Sequence, residues 1–340
     1  TSGDFNGDGK DDLAISASLE DMGSISNAGC VHVIFGTGHG LSQLGNQLWH
    51  QDSPGVPGIC ETEDQFGYSL TSGDLNGDGK DDLAVGVPLE DIWWHTNAGI
   101  VQLFRGSASG LTPHSTSLAQ MNNYPGAYPP RQIERLMEAH DSFGTSLASG
   151  DLNGDGVDDL VIGVPFEDIG TKNAAGAIEV LYFRSSSSFS VRDRILFSQA
   201  DSFITGYPET SDAFGWSVAV GDFNYDGPRE IIVGVPMEDI GSLTDAGMIH
   251  ILWGSYAAGY YGDINQQSHL HQNSSGVSGA CETNDRFGYS LSPGDFNGDS
   301  RVDLSVGVPN ESVSKYQQGM MHTFKASSSR YLMNWQTWVQ

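Results

Sequence analysis

An acidic loop of nine residues constrains this chain more than any other feature, because it occurs five times. In the second copy, residues 74–82, oxygen-bearing side chains stand at the first, third, fifth and ninth positions, and glycine stands at the sixth. The glycine permits the positive φ that a tight turn around an ion requires, and calcium prefers oxygen ligands in such flexible loops. The loops begin at Asp4, Asp74, Asp151, Asp222 and Asp295, at intervals of 70, 77, 71 and 73 residues. This regular period indicates one structural unit repeated five times.

Most of the acidic loops lie between two segments that have the composition of strands. The segment before loops two to five begins with Phe-Gly, at Phe66, Phe143, Phe214 and Phe287. The segment after the same loops is rich in valine, leucine and isoleucine and ends in Gly-Val-Pro, where the proline stops a strand. The two segments therefore predict a β-hairpin with the acidic loop at its tip.

Two more strands are predicted in each unit. A third apolar segment follows an Ala-Gly turn, and a looser fourth segment ends in a glutamine. Four strands joined by short turns, with no helical periodicity between them, predict an all-β fold, a β-propeller built from four-stranded blades. The predicted repeats are approximately residues 1–51, 52–120, 121–199, 200–272 and 273–340, within a single domain that spans residues 1–340.

Together, the Phe-Gly segment, the acidic loop and the Gly-Val-Pro segment resemble the FG-GAP repeat. This repeat is the unit of the β-propeller at the head of integrin α subunits and of related bacterial secreted proteins. The resemblance covers essentially the whole chain, although the first unit lacks its Phe-Gly segment. The family's better-known members have seven blades, so the five repeats form either a five-bladed ring with one incomplete blade or part of a larger propeller.

The resemblance implies that the loops bind calcium, with up to five ions in the chain. Oxygen-only ligands suit calcium better than magnesium, which needs a stricter octahedron, or zinc, which prefers nitrogen and sulfur. A backbone carbonyl from the seventh position and water complete each implied ligand shell. The implied ligands are Asp4, Asn6, Asp8, Lys10 and Asp12; Asp74, Asn76, Asp78, Lys80 and Asp82; Asp151, Asn153, Asp155, Val157 and Asp159; Asp222, Asn224, Asp226, Pro228 and Glu230; and Asp295, Asn297, Asp299, Arg301 and Asp303.

Two loops depart from this pattern and are expected to be the weakest sites. The fifth has Ser300 at the glycine position, so a serine must adopt the left-handed conformation at some cost. The fourth ends in Glu230 instead of aspartate. The alternative interpretation is that all five loops are metal-free turns, since Asp, Asn and Gly are ordinary turn residues. Converging carboxylates would then repel one another, which disfavours that alternative.

The charge of the chain excludes several classes of partner. With 43 acidic and 15 basic residues, the formal net charge is -28. This charge argues against nucleic acid and against anionic membrane surfaces. Bound divalent ions would offset part of it, and a solvating acidic surface is the alternative explanation. No apolar run approaches 18 residues, so no membrane span is expected. Calcium loops of moderate affinity favour an extracellular or cell-surface location.

A second acidic feature follows the second predicted strand of each unit. Its members are Glu20-Asp21, Glu90-Asp91, Glu167-Asp168, Glu238-Asp239 and Glu311. They fall in the turn before the third strand, at the end of the blade opposite the acidic loop. Hydrogen bonding between neighbouring blades is the favoured interpretation, and contact with a cation or a ligand is the alternative.

Recognition residues are expected at this same opposite end, where the repeats differ most from one another. Trp93, Trp94 and His95 replace the Gly-Thr-Lys or Gly-Ser-Leu of other units, and Tyr124 and Tyr128 stand in the longest insertion. Aromatic faces of this kind suit sugar rings or a protein loop. The alternative is that they cover the ends of neighbouring blades.

The sequence therefore predicts a calcium-stabilised binding or adhesion module that recognises a protein or a glycan, with a lectin as one form of it. A carbohydrate-active enzyme, either a lyase or a hydrolase, or a propeller appended to one, is the rival. No catalytic triad spacing, His-Glu-x-x-His motif or phosphate loop is present. His32 and His250 are expected to pack within or between blades. Cys60 and Cys281 occupy equivalent places in their units and are predicted to be free thiols.

Overall fold

The protein is described here by a computed structural model that covers residues 1–120, 137–186, 188–254, 266–312, 318–326 and 332–339. All regular secondary structure within these residues is β-strand, arranged in five four-stranded antiparallel sheets. In every sheet each strand pairs with the next strand along the chain. The five blades follow one another in sequence, and each falls within one of the five predicted repeats. The fold class is therefore the predicted one, a β-propeller of four-stranded blades.

The strands of the blades have similar lengths and positions relative to the acidic loops. The first blade contains β1 (Ser2–Gly3), β2 (Asp12–Ala17), β3 (Cys30–Thr37) and β4 (Gly40–Trp49), and the second contains β5 (Ser69–Gly73), β6 (Asp82–Val87), β7 (Ile100–Arg105) and β8 (Thr112–Pro113). The third contains β9 (Leu147–Gly150), β10 (Asp159–Val164), β11 (Ala177–Arg184) and β12 (Ser190–Phe197). The fourth contains β13 (Ser217–Gly221), β14 (Glu230–Val235), β15 (Met248–Leu252) and β16 (Gln267–Leu270), and the fifth contains β17 (Ser290–Gly294), β18 (Asp303–Val308), β19 (Met320–Lys325) and β20 (Met333–Val339).

The hairpin predicted around each acidic loop is confirmed by the pairing of the first two strands. In the second blade, Gly73 lies opposite Asp82, so residues 74–81 form the connection. The same register recurs in the fourth blade, where Gly221 lies opposite Glu230. The ninth loop residue is therefore the first residue of the second strand, and its position is fixed by the ladder.

Two predicted strand boundaries are wrong, and both errors have a tertiary cause. The Phe-Gly residues precede the first strand, because Gly67 has φ +89° and Phe66 N–H is bonded to Ala28 O of the preceding blade at 2.9 Å. The fourth strand of the first blade, β4, ends at Trp49, before Gln51, because the Gln51 side chain donates to Glu90 of the second blade.

The glycine of the Ala-Gly turn is required by the approach of the next blade. A Cβ on Gly99 would lie 2.3 Å from Phe143 O, and Phe143 N–H donates to Ala98 O at 2.9 Å. The same contact joins Gly247 of the fourth blade to Phe287 of the fifth. The Phe-Gly and Ala-Gly motifs thus form the two halves of one contact between consecutive blades.

The described chain forms two compact units, each with its own core. The first comprises Thr1–Ser149, Gly156–Ile162 and Val180–Ile195, and its buried residues include Phe5, Phe66 and Phe104. The second comprises Gly150–Asp155, Gly163–Glu179 and Leu196–Gln340. Its buried residues include Phe223, Phe287 and Phe324.

Candidate functional site

The first residue of the acidic loop organises the turn through its carboxylate. In the first loop, Asp4 accepts the backbone N–H of Asp8 at 2.9 Å and that of Gly9 at 2.8 Å. Corresponding pairs of bonds are made by Asp74 in the second loop, Asp222 in the fourth and Asp295 in the fifth. The loop is thereby wound around the carboxylate, with its oxygen-bearing side chains on one short segment.

The ninth residue of the second loop is a buried carboxylate. Asp82 is fully buried, accepts the N–H of Gly106 at 2.9 Å and is bonded to Asn76 Nδ2 at 2.7 Å. Burial is the main cause that raises the pKa of Asp82 to about 7, and the charges of Asp74 and Asp78 add to it. The site therefore disfavours a bare negative charge at this position.

Two buried oxygen atoms in these loops have no hydrogen-bond partner. They are Oδ1 of Asn76 in the second loop and Oδ2 of Asp12 in the first. Buried polar atoms are rarely left in this state, and a bound cation in each loop would satisfy both oxygens. Both atoms belong to the ligand set implied by the sequence, and carboxylate and amide oxygens are what calcium binds. The residues present therefore fit a calcium ion.

A basic side chain of the same blade contacts the second loop. Arg105, at the end of β7, forms a salt bridge with Asp78, with Nη2 and Oδ2 2.5 Å apart. Burial alone would raise the pKa of Asp78, but the hydrogen bond and charge of Arg105, together with Lys80, lower it. One carboxylate of this loop is thus partly neutralised by the protein itself, a contact that the sequence pattern did not indicate.

The fourth and fifth loops carry unusual residues in left-handed conformations. Ser300 has φ +66°, as predicted from its place at the glycine position. Tyr225 has φ +60° at the fourth position, where the other loops have glycine. Glu230 is buried, which is the main reason that its pKa is raised to about 8. The lower affinity expected of these two loops stays a prediction.

The remaining predicted ligands lie on the same loops. In the third loop, Asp155 N–H donates to Asn153 Oδ1 at 3.0 Å, and Asp159, in the first unit, accepts the N–H of Phe183 at 3.0 Å. In the fifth loop, Asn297 Nδ2 donates to Asp303 at 2.8 Å. The seventh residues stand between the turn and the second strand of each blade, and they are Lys10, Lys80, Val157, Pro228 and Arg301.

Hydrogen bonds join neighbouring acidic loops, and the sequence did not predict them. Asp81, the eighth residue of the second loop, accepts the N–H of Asp4 in the first loop at 2.8 Å. Asp158 of the third loop does the same for Asp74, at 3.2 Å. The available signal was the Asp-Asp pair that closes each of the first three loops. In the second and third loops, the first aspartate of the pair contacts the preceding blade. The second aspartate belongs to the implied ligand set.

In the second, fourth and fifth blades, the glutamate that follows the second strand links consecutive blades, as favoured from the sequence. Glu90 accepts Gln51 Nε2 at 2.5 Å and Glu238 accepts Gln199 Nε2 at 2.7 Å, and Glu311 is bonded to Gln272 in the same way. In the second and fourth blades, an aspartate beside the glutamate caps its own turn: Asp91 accepts the N–H of Asn97 at 2.8 Å, and Asp239 accepts that of Asp245 at 3.0 Å. In these two blades, both acidic residues thus have structural partners.

The turn between β6 and β7 presents two tryptophans to solvent. Ile92 and His95 pair through their backbones, which leaves Trp93 and Trp94 as the two central residues of the turn. They are 82% and 79% exposed, and their ring centroids are 5.8 Å apart. The turn lies at the opposite end of β6 from the acidic loop, as predicted. With this exposure, the two rings do not cover a neighbouring blade.

Other predicted residues are placed as follows. Tyr124 and Tyr128 lie outside the described residues. His250 is fully buried, and burial lowers its pKa to about 4, in keeping with the predicted packing role. The same prediction is wrong for His32, which is exposed although Gln102, at the equivalent position of β7, is buried. Cys60 and Cys281 are free thiols, as predicted.

Comparison with known proteins agrees with this class of fold and loop. The FG-GAP repeat matches residues 1–34, 66–104, 143–181, 214–252 and 287–321. Because these matches cover more than half of the chain and coincide with five blades that carry the acidic loop, the protein belongs to the FG-GAP repeat family. The described residues contain no helix that is both long and apolar enough to cross a membrane.

The chain spans about a fifth of the length of the curated relatives it matches. It is 33% identical over 198 residues to phosphatidylinositol-glycan-specific phospholipase D of Dictyostelium discoideum, covering 55% of this chain and 20% of that protein. It is 27% identical over 292 residues to integrin alpha-PS2 of Drosophila melanogaster, covering 81% of this chain and 17% of that protein. Among solved structures, the exotype rhamnogalacturonan lyase YesX aligns with a TM-score of 0.43 and 15% identity, over 96% of this chain and 47% of that one.

Proposed function

We propose that this chain is an extracellular or cell-surface binding module, stabilised by calcium and used for adhesion to a protein or glycan partner. The observation that carries the proposal is the conformation of Trp93. Its φ is +56°, a value that is a genuine outlier for a bulky side chain. Strained residues of this kind persist where function needs them.

In three other blades, this turn has glycine at the equivalent position. Gly23, Gly170 and Gly241 occupy the position of Trp93, with φ of +69°, +66° and +70°. A Cβ at any of these glycines would meet no atom within 4 Å. A side chain at this position therefore extends into open space, and the contact of Trp93 within its blade is with the neighbouring ring of Trp94. Contact between the indole and another molecule would supply the free energy that offsets this strain.

The proposed calcium ions have a structural role that complements this turn. They would lie in the acidic loops, at the opposite end of β6 from the tryptophans, and would hold the first two strands of each blade together. The acidic loops are short and their first carboxylates already bind the backbone, so an ion needs little rearrangement. The recognition turn would then be presented from a rigid blade.

The test compares partner binding by wild-type protein with binding by a variant whose turn matches the fourth blade. That variant is Trp93→Gly combined with Trp94→Ser, which reproduces Gly241 and Ser242. Binding to a glycan array and to a panel of immobilised extracellular matrix proteins should be lost, while the melting temperature in calcium should stay within a few degrees of wild type. Retained binding to the same ligands would contradict the proposed role of the turn.

The matched control is Tyr207→Ala, because Tyr207 is 83% exposed but lies in a different blade connection. This control should bind as the wild type does. A loss of binding in both variants would indicate that exposed aromatic residues contribute without specificity. Binding on the glycan array but not on the proteins would identify the module as a lectin, and the reverse would identify a protein partner.

A second candidate function is that the chain is the propeller of a larger carbohydrate-active or lipid-active enzyme. The observation that favours it is the similarity to phosphatidylinositol-glycan-specific phospholipase D, of which the chain covers only 20%. In that case the isolated chain should turn over neither polysaccharides nor phosphatidylinositol-glycan lipids. Turnover by the isolated chain itself would contradict both the binding module and the appended propeller.

A further inference from the structure

Histidine, aspartate and cysteine side chains converge in the segment that connects the first blade to the second. Within the described residues, His50, Asp52 and Cys60 are the one group of three metal-ligating side chains whose ligand atoms all lie within 4.8 Å of one another. Nδ1 of His50 lies 3.7 Å from Sγ of Cys60. We propose that these three residues bind a transition-metal ion of the zinc class, at a site separate from the acidic loops.

The geometry of the pair agrees with such an ion. Zinc–sulfur and zinc–nitrogen bonds of about 2.3 and 2.05 Å at a tetrahedral angle place the two ligand atoms about 3.6 Å apart. The observed separation of 3.7 Å is close to this value. Thiolate and imidazole ligands select zinc and its neighbours, whereas the oxygen-only acidic loops select calcium. The two kinds of site therefore differ in the ion they prefer.

The turn that carries these residues is already organised. Ser53 N–H donates to His50 O at 2.9 Å, and His50 N–H donates to Ser53 Oγ at 3.0 Å. Asp52 Oδ1 accepts the N–H of Cys60 at 3.0 Å, which holds the carboxylate beside the thiol. Asp52 is exposed and Cys60 is buried, so an ion can enter from solvent and keep water as its fourth ligand.

The connection from the fourth blade to the fifth is a natural variant of the same site. His271 Nδ1 and Cys281 Sγ are 3.6 Å apart, and Asn273 Oδ1 accepts the N–H of Cys281 at 3.1 Å. The backbone turn is the same, because Ser274 N–H donates to His271 O at 2.9 Å. Asparagine replaces the aspartate, so this copy keeps the shape and loses the carboxylate.

The connection from the third blade to the fourth has none of the three ligands. Aligned on Gln51 and Gln199, the residues at the positions of His50, Asp52 and Cys60 are Ser198, Ala200 and Pro208. The ligand set is therefore not needed to build a blade connection. Of these three connections, the first has all three ligands, the last has the histidine and the cysteine, and the connection from the third blade to the fourth has none.

Binding requires one proton transfer and no redox step. The Cys60 thiol loses its proton to solvent as the sulfur–metal bond forms, while neutral His50 donates a nitrogen lone pair and Asp52 donates a carboxylate oxygen. The ion would fasten the end of the first blade to the start of the second.

Cobalt(II) is a suitable probe, because a cobalt–thiolate bond has a charge-transfer absorption that oxygen ligands do not produce. Reduced, chelator-treated protein would be titrated with cobalt in excess calcium, so that the acidic loops are occupied. The expected result is a thiolate charge-transfer band that saturates at one cobalt per chain. Absence of the band at saturating cobalt would overturn the proposal.

Matched variants assign the band to its residues. Cys60→Ser should abolish it and Cys281→Ser should leave it unchanged. Asp52→Asn should weaken cobalt binding by about tenfold or more, since disturbing even the partners of a metal ligand costs 10–100-fold. This variant should fold normally, because Asn273 makes the same backbone bond in the last connection. Equal loss of the band in Cys60→Ser and Cys281→Ser would also overturn the proposal.

The reciprocal variant tests the carboxylate directly. Asn273→Asp completes the second set of ligands and should raise the saturating amount from one cobalt to two per chain. If its stoichiometry stays at one while Asp52→Asn binds as tightly as wild type, the carboxylate is not a ligand and the proposed site is wrong.

Discussion

Trp93 has a backbone angle that is unusual for a bulky side chain. Three other blades place glycine at this position and keep φ positive. An L-residue in the left-handed region costs about 1–2 kcal/mol, a cost that glycine does not carry. The sequence displayed the substitution but not the angle, which depends on the two-residue turn between Ile92 and His95.

This strain can be measured by comparing glycine with alanine. The free energy of unfolding of Trp93→Gly should be about 1 kcal/mol higher than that of Trp93→Ala, because alanine keeps the Cβ that conflicts with positive φ. At Trp94, whose φ is not positive, the order should reverse, with alanine the more stable. Urea denaturation in calcium measures both pairs. The same order at the two positions would contradict the assigned strain.

Gly86 of the Gly-Val-Pro segment illustrates a different requirement, the close approach of another blade. A Cβ on Gly86 would lie 2.2 Å from Gly144 O and from Ser69 Oγ. Ser69 Oγ itself donates to Gly144 O at 2.7 Å, so these atoms form the contact between the second and third blades. The glycine is required by packing, since its φ is not in the left-handed region.

Gly86→Ala should therefore lower the free energy of unfolding by about 1–3 kcal/mol, the usual cost of overpacking. The control is Gly38→Ala, because a Cβ on Gly38 would meet no atom within 4 Å and its φ is not positive. Thermal and urea unfolding of the two variants should differ clearly. Similar stability of both would show that the blades separate easily enough to admit a methyl group.

Among the connections between elements, the glutamine–glutamate link couples stability to pH. In the link between the third and fourth blades, burial is the main cause that raises the pKa of Glu238 to about 8, and the charge of Asp212 adds to it. Gln199 Nε2 donates to Glu238, while Gln199 Oε1 is buried without a partner. A protonated Glu238 would be able to donate to that oxygen.

The sign of the pH effect follows from the raised pKa. Unfolded chains lose the Glu238 proton near pH 4.5 and the folded protein keeps it to about pH 8, so stability from this group falls as pH rises between these values. Glu238→Gln should flatten this part of the profile and exceed wild-type stability at pH 8, because an amide N–H replaces the acid proton. Urea unfolding at several pH values measures the pH dependence of stability in both proteins.

Glu20→Gln is the control for this measurement, because Glu20 occupies the same position in the first blade and is exposed. Its stability profile should keep the wild-type slope. If Glu238→Gln also keeps that slope, the buried link does not bind a proton at neutral pH, and the assignment to Glu238 is wrong.

For the molecule as a whole, calcium is expected to control stability more than any single contact. Each site that binds only the folded state adds about 2.7 kcal/mol when calcium is at 100 times its dissociation constant. Chelated protein titrated with calcium should therefore show a rising melting temperature, with four or five ions bound per chain. No shift and no bound calcium would identify the loops as metal-free turns.

A single-site variant separates metal binding from turn stability. Asp8→Asn removes a charge from the first loop but keeps an oxygen that can accept the N–H of Lys10, as Asp8 Oδ1 does at 3.0 Å. Bound calcium should fall by one ion, and the melting temperature should drop in calcium but not in chelator. Asp78 is less suitable for this test, because its salt bridge with Arg105 is also lost on substitution.

The repeat, the hairpin around each acidic loop and the four-stranded blade were all predictable from the sequence. They depend on local signals, namely the period of about 70 residues, apolar strands and turn-forming glycines, which act over a few residues at a time. The implied calcium ligands rest on the same kind of local signal, because they stand within nine consecutive residues, and they stay a prediction. The family resemblance rests on these short motifs.

Only the tertiary structure decided which residues join one blade to the next. Asp81 contacts a loop 77 residues away, and Gln51 reaches a glutamate 39 residues away. These contacts also explain why the observed strand ends differ from the predicted ones, because Phe66 and Gln51 form their hydrogen bonds with neighbouring blades. The backbone strain of Trp93 and the convergence of His50, Asp52 and Cys60 belong to the same class. Local propensity cannot specify them, since they exist only when distant segments pack or when a turn fixes side chains in one place.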